Sequence, residues 1–185
     1  SLVTAYAILM PLFYGYIMPY IAINLLKRWH FKNGVMLGGM YIHHGFMYAS
    51  KMSLFGFLPL LLLGKESPGW AASIAWVVCS ALPYAFTAWL QDSLSVKHNF
   101  VEFCSEVSEE LNKGSETLPY APLCFTIIGF IFSSGLVATY TSCVFGNPSL
   151  LRIIIIFATS FAALMTLPSV AYRAVLNTTP TTVTL

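Results

Sequence analysis

Long apolar runs separated by short polar breaks dominate this chain, and their lengths predict its architecture. A helix needs roughly 20 apolar residues to cross a hydrocarbon core of about 30 Å. Five runs reach that length, at about residues 2–26, 35–63, 71–91, 121–144 and 150–176. Between the third and fourth runs the pattern changes. Phe100, Phe103, Cys104, Val107 and Leu111 repeat at helical spacing, with Glu102, Glu106, Glu109 and Glu110 on the other side. Asn99 followed by Glu102 has the form of a capping box, and Gly114 is a helix stop. The pattern therefore predicts an acidic amphipathic loop helix over 99–113. The expected fold is all-α, a polytopic integral membrane helical bundle of about five transmembrane helices plus that loop helix. The whole chain, 1–185, forms a single transmembrane domain in this reading, with no sheet.

Prolines and glycines modify several runs. Pro11 and Pro19 lie inside the first, where each removes a backbone donor and bends a helix. Neighbouring helices must then satisfy the freed carbonyls. Gly38 and Gly39 in the second run allow close approach by a neighbour, and Pro59 leaves its C-terminal part open to a break. Gly129 and Ser133 have the small-xxx-small spacing of close-packed membrane helices.

Composition agrees with the pattern. The 185 residues are 57% hydrophobic and 9% charged, against about 25% charged in a soluble domain. No Lys/Arg cluster forms a nucleic-acid surface. The cations do orient the chain. Lys27, Arg28, Lys32, Lys97, Lys113 and Arg173 fall on one side of the predicted bundle, and Lys65 and Arg152 on the other. The positive-inside rule then places the C-terminus in the cytosol; the expected location is an endomembrane or organellar membrane. The sequon at Asn177 opposes this orientation if it is used. Cys79, Cys104, Cys124 and Cys143 have neither paired nor zinc-type spacing.

Candidate chemistry concentrates in the second run. Tyr41, His44, Tyr48 and Lys51 stand three and four residues apart, which puts them on one helical face. Met36, Met40, His43 and Met47 make a second stripe. Ionisable groups at membrane depth are costly and mark a protein interior or a wet cavity. His43 and His44 point about 100° apart on a helix and cannot chelate one metal as a simple pair. Haem ligation would need a second axial ligand, such as Met10, Met18 or Met165. No metal or cofactor is expected. Asp92 adjoins the polar face of the third run, formed by Ser73, Ser80, Tyr84, Thr87 and Gln91. Two roles are open to it: an interfacial carboxylate paired with Lys97 or His98, or an acid kept protonated by apolar surroundings. Lys51 either snorkels to the interface or meets a buried carboxylate.

Asp92 and His44 are thus the catalytic candidates, and Tyr16, Tyr41, Tyr48, Trp76, Tyr84 and Trp89 the candidates for binding an apolar ligand. Walker, Rossmann, HExxH and nucleophile-elbow motifs are absent. Three function classes remain. The first is a membrane-embedded enzyme acting on a lipophilic substrate, by acid-triggered cyclisation or isomerisation of an isoprenoid or sterol-like polyene. The second is an accessory subunit of a larger membrane complex. The third is a small transporter or channel component, which the missing inverted repeat disfavours. The expected partners are membrane lipids, with a lipophilic small molecule or neighbouring membrane subunits.

Overall fold

The structure is a computed structural model that describes residues 1–32, 34–60, 68–103, 121–146 and 149–178. Its helices are α1 (Leu2–Tyr20), α2 (His44–Phe57), α3 (Trp70–Lys97), α4 (Ala121–Val144) and α5 (Leu150–Thr178). α1 runs on into a π-helical segment, Ile21–Leu25. Four short strands complete the described residues: β1 (Trp29–Phe31), β2 (Met36–Leu37), β3 (Met40–Tyr41) and β4 (Val101–Phe103).

Among the described residues four helical segments are long and apolar enough to cross a membrane: Leu2–Leu25, Trp70–Lys97, Ala121–Val144 and Leu150–Ala174. α4 is central, with 56% of its most apolar stretch buried by protein, against 17% for α5 on the outside. α4 packs on α3, α5 and α1, and α1 packs on α2. The core between them holds Tyr6, Met10, Tyr14, Met52, Tyr84, Phe125, Phe132, Leu136 and Leu164. Gly129 touches α3 so closely that a Cβ there would lie 2.9 Å from Ala81 Cα and its carbonyl oxygen. The small-xxx-small spacing therefore marks the α3–α4 contact.

The second apolar run does not form one helix over 35–63. Residues 36–41 form a β-hairpin, in which Met36 pairs with Tyr41 and Leu37 with Met40. Its two-residue loop is Gly38-Gly39, with φ of +59° and +78°. Positive φ at both central positions is the requirement of a type I′ hairpin turn, which glycine meets without steric cost. The pair serves a turn, and it also permits close approach by a neighbour, since a Cβ on Gly39 would lie 3.2 Å from Ile23 Cγ2 of the π-helical segment. The helix that follows, α2, has 14 residues. At 1.5 Å rise per residue it is about 21 Å long, short of a full crossing. Residues 61–67, the rest of that run, lie outside the described residues.

The loop helix expected over 99–113 does not start where the sequence suggested. Asn99 ends a helix instead of beginning one. It has φ +57°, its N–H donates to Val96 O at 3.0 Å, and Phe100 N–H donates to Ser95 O at 2.8 Å. These two bonds with a left-handed residue between helix and strand are a Schellman motif, and asparagine is the commonest substitute for glycine there. Val101–Phe103 then pairs antiparallel with Trp29–Phe31. The remaining residues of that expected helix, from 104 on, lie outside the described residues.

The prolines of α1 show how α2 is held. Pro11 lacks the N–H that would bond the Ala7 carbonyl four residues back. That carbonyl accepts instead from the Ser53 hydroxyl of α2, at 2.7 Å. Replacing Ser53 with Ala should lower stability by about 1–3 kcal/mol, the cost of an unsatisfied buried group. Thermal unfolding in detergent micelles measures it. In a Pro11→Ala background a helical N–H becomes available, and the same Ser53→Ala change should cost distinctly less. Equal costs in both backgrounds would show that the proline and the serine are not coupled.

Candidate functional site

Two neighbouring cavities lie where α2, α3 and the β1–β4 ribbon meet. The larger, about 500 Å³, is lined by Tyr41, His43, His44, Met47, Tyr48 and Lys51 from the β3–α2 side, and by Tyr84, Ala88, Gln91, Asp92 and Ser95 from α3. Phe31, Phe100 and Val101 close its ribbon side. The smaller, about 160 Å³, lies between α1, α4 and α5, among Tyr14, Met18, Cys124, Phe125, Ile128, Pro168 and Arg173. Phe31, His44, Tyr48, Asp92 and Val101 line both, and so form the wall between them.

His44 is the first residue of α2 and is 7% exposed. Its ring sits between Phe31 (centroids 5.1 Å apart) and Tyr48 (5.3 Å). Its Nδ1 is buried without a hydrogen-bond partner. A buried polar atom without a partner is uncommon and marks a functional candidate. His43, the neighbour in sequence, is exposed and stacks on Tyr41 at 5.5 Å. The two imidazoles thus face different environments. Among the described residues no group of three His, Cys, Asp or Glu side chains could hold a metal ion.

Asp92 lies inside α3, which continues to Lys97, and is half-buried against both cavities. It is the one carboxylate lining either cavity among the described residues. It stands within the helix, five residues before its last residue, Lys97. Lys51 is half-buried and lines the larger cavity together with Asp92. It does so from within α2, which continues past it to Phe57.

The aromatic candidates separate into two groups. Tyr41, Tyr48 and Tyr84 line the larger cavity. The Tyr41 hydroxyl donates to Lys32 O at 2.8 Å, which ties β3 to the end of β1. Tyr84 is 2% exposed and its hydroxyl has no partner. Trp76, Trp89 and Tyr16 line neither cavity. Trp76 is fully buried and donates its indole N–H to Gly56 O at 2.8 Å, fixing α3 against the end of α2. The Tyr16 hydroxyl donates to the Ile42 carbonyl, holding the entry to α2. Trp89 packs beside Phe86, with centroids 5.9 Å apart. Thr87, on the polar face of its helix, donates its hydroxyl within that helix to Pro83 O, 2.9 Å away.

Several lining residues carried no chemical signal in the sequence. Phe31 and Val101 reach the site only because β1 pairs with β4. Gln91 was visible on the polar face of its helix, and its amide donates to Met47 Sδ at 2.8 Å across the cavity. Outside the cavities, Glu102 Oε2 accepts from Lys32 Nζ at 2.6 Å and contacts His30 Nε2 at 3.0 Å. The Lys32 hydrogen bond, with the nearby positive charges, holds the Glu102 carboxyl below the usual carboxylate range.

No protein-family model, curated protein or solved structure matches this chain.

The depressed Glu102 predicts how the ribbon responds to pH. Its bonds strengthen β1–β4 pairing above the ordinary carboxylate pKa of about 4.3 and are lost as pH falls through the lower folded-state value. The effect is small, because the pair is exposed and screened by salt. Amide exchange, corrected for its intrinsic pH dependence, should show less protection at Lys32 in acid than at neutral pH. Glu102→Gln should remove that difference. A difference that survives the substitution would exclude Glu102 as its source.

Proposed function

We propose that the chain is a membrane-embedded enzyme that isomerises a lipophilic substrate by acid–base chemistry, with Asp92 and His44 as the proton-transferring pair. One observation carries the reading: a carboxyl and a buried, unpartnered imidazole from different helices line one cavity of about 500 Å³. That volume is within the range of small-molecule sites, roughly 300–1,000 Å³. The lining supports acid-triggered cyclisation or isomerisation of an isoprenoid or sterol-like polyene. Asp92, in its protonated form, gives its proton to an alkene or epoxide of the bound chain. In the epoxide case the C–O bond breaks and leaves an alcohol and a carbocation. Alkene π pairs attack the cationic carbon and close rings. The faces of Phe31, Tyr41, Tyr48 and Tyr84 stabilise the positive charge as it moves. Neutral His44 removes a proton from carbon to leave an alkene, and the proton returns to Asp92 through water. The net reaction is an isomerisation and needs no further reactant. In this reading the protein resides in an endomembrane or organellar membrane with its C-terminus in the cytosol.

The test uses the purified chain in liposomes with linear polyprenyl chains and their terminal epoxides as probes. Products of unchanged mass and altered retention are read by gas chromatography–mass spectrometry. Asp92→Asn and His44→Ala should each lower turnover by about 10²-fold or more, the usual contribution of a general acid or base. Melting temperature and insertion serve as controls for folding. Full turnover in both well-folded variants, or no conversion of any polyprenyl probe by the unaltered protein, would overturn the proposal.

A further inference from the structure

The smaller cavity has a feature that proton transfer does not use. Arg28 and Arg173 both line it, one from the segment after the first helix and one from the far end of α5. Lys27, at φ +52°, turns the chain after the π-helical segment, and Arg28 N–H donates back to Ala22 O at 2.9 Å. This delivers a half-buried Arg28 to the cavity. Arginine stays charged in any protein environment. Among the described residues, the ion pairs within 4.0 Å are those of Glu102 with His30 and Lys32, so neither arginine is in one. The rest of the lining includes Met18, Phe125 and Ile128, and Asp92 stands on the wall shared with the larger cavity. Three cations, with Lys51, thus face one carboxylate across the two cavities.

A cavity whose lining is mostly apolar and includes two guanidinium groups, Arg28 half-buried and Arg173 exposed, neither in an ion pair among the described residues, suits an amphiphile with one anionic end. We infer that the ligand of this site is a single-chain apolar molecule bearing a phosphate or carboxylate, with Arg28 and Arg173 holding that anionic group. Guanidinium groups bind both anions in bidentate fashion, through donors that match their geometry. The inference names the substrate class of the enzyme proposed above and rests on that reading for the word substrate; the anion site itself does not. The chemistry is shared with anionic phospholipid headgroups, so the test has an arm for each source.

The purified chain in phosphatidylcholine nanodiscs is titrated with dibrominated stearate and with the corresponding dibrominated alcohol. Tryptophan quenching is read, since Trp29 lines the same cavity. The acid, ionised, should bind about tenfold or more tighter than the alcohol, matching about 1.4 kcal/mol or more. Arg28→Gln with Arg173→Gln should remove that preference and leave alcohol binding unchanged. Arg28→Lys keeps the charge and should lose only part of the preference. Equal binding of acid and alcohol by the unaltered protein would overturn the inference without any variant. So would loss of the preference in discs containing phosphatidylglycerol, which would assign the arginines to bilayer phospholipid. A clear acid preference in a protein that converts no polyprenyl probe would sink the enzyme reading and leave the anion site standing.

Discussion

The Ser53–Ala7 hydrogen bond links the two halves of the site. Pro11 leaves the Ala7 carbonyl without its helical donor, and the Ser53 hydroxyl of α2 supplies one. In an apolar interior an unsatisfied carbonyl is expensive, so the repair favours one arrangement of α2 against α1. At the other end of the same contact, a Cβ on Gly15 would lie 2.9 Å from Gly45 Cα. The two helices touch there, one residue after His44. These contacts determine where the first turn of α2 sits, and with it His44. A proline in α1 that looks like a defect in sequence frees the carbonyl that receives the helix carrying the imidazole.

The ribbons perform the same service for the other wall. α2 is too short to cross a bilayer by itself, and the chain needs a way to reach its start. The Gly38-Gly39 hairpin and the Tyr16 hydroxyl on Ile42 O provide that entry. The Schellman turn at Asn99 reverses the chain after α3, so that β4 can pair with β1. Phe31 and Val101 thereby close the wall that Asp92 and His44 share. Backbone pairing near the helix ends thus encloses a cavity that helices alone would leave open.

The charges within that enclosure are unequal. Lys51 lines the cavity on one side of the wall that holds Asp92, and Arg28 and Arg173 line the cavity on the other. Burying charges costs free energy that a nearby opposite charge only partly returns. Among the described residues three cations and one carboxylate line the two cavities, with Arg28 half-buried and Arg173 exposed, and a bound anionic group would offset that excess of positive charge.

Hydropathy determined the class of structure from the sequence alone. Four of the five apolar runs contain helices long and apolar enough to cross a membrane, because twenty apolar residues in a row have few alternatives. The stripe Tyr41, His44, Tyr48 and Lys51 was also legible, and all four line the larger cavity. Helical spacing was the wrong reason for Tyr41, which stands on β3 and reaches the cavity by strand pairing. Local patterns misled where two structures share one signature. A glycine pair fits both a tight helix contact and a hairpin turn, and Asn99 fits both a helix start and a helix end. Periodicity could not choose, since the choice depends on the partner strand or helix. Trp76, Trp89 and Tyr16 could not be separated from Tyr41, Tyr48 and Tyr84 by composition, because an aromatic ring suits a core, an interface and a pocket equally. Arg28 and Arg173 lie 145 positions apart in sequence (173 minus 28) and read only as markers of orientation. The packing of α1 and α5 against a common cavity made them neighbours of one space, a property that exists only in three dimensions.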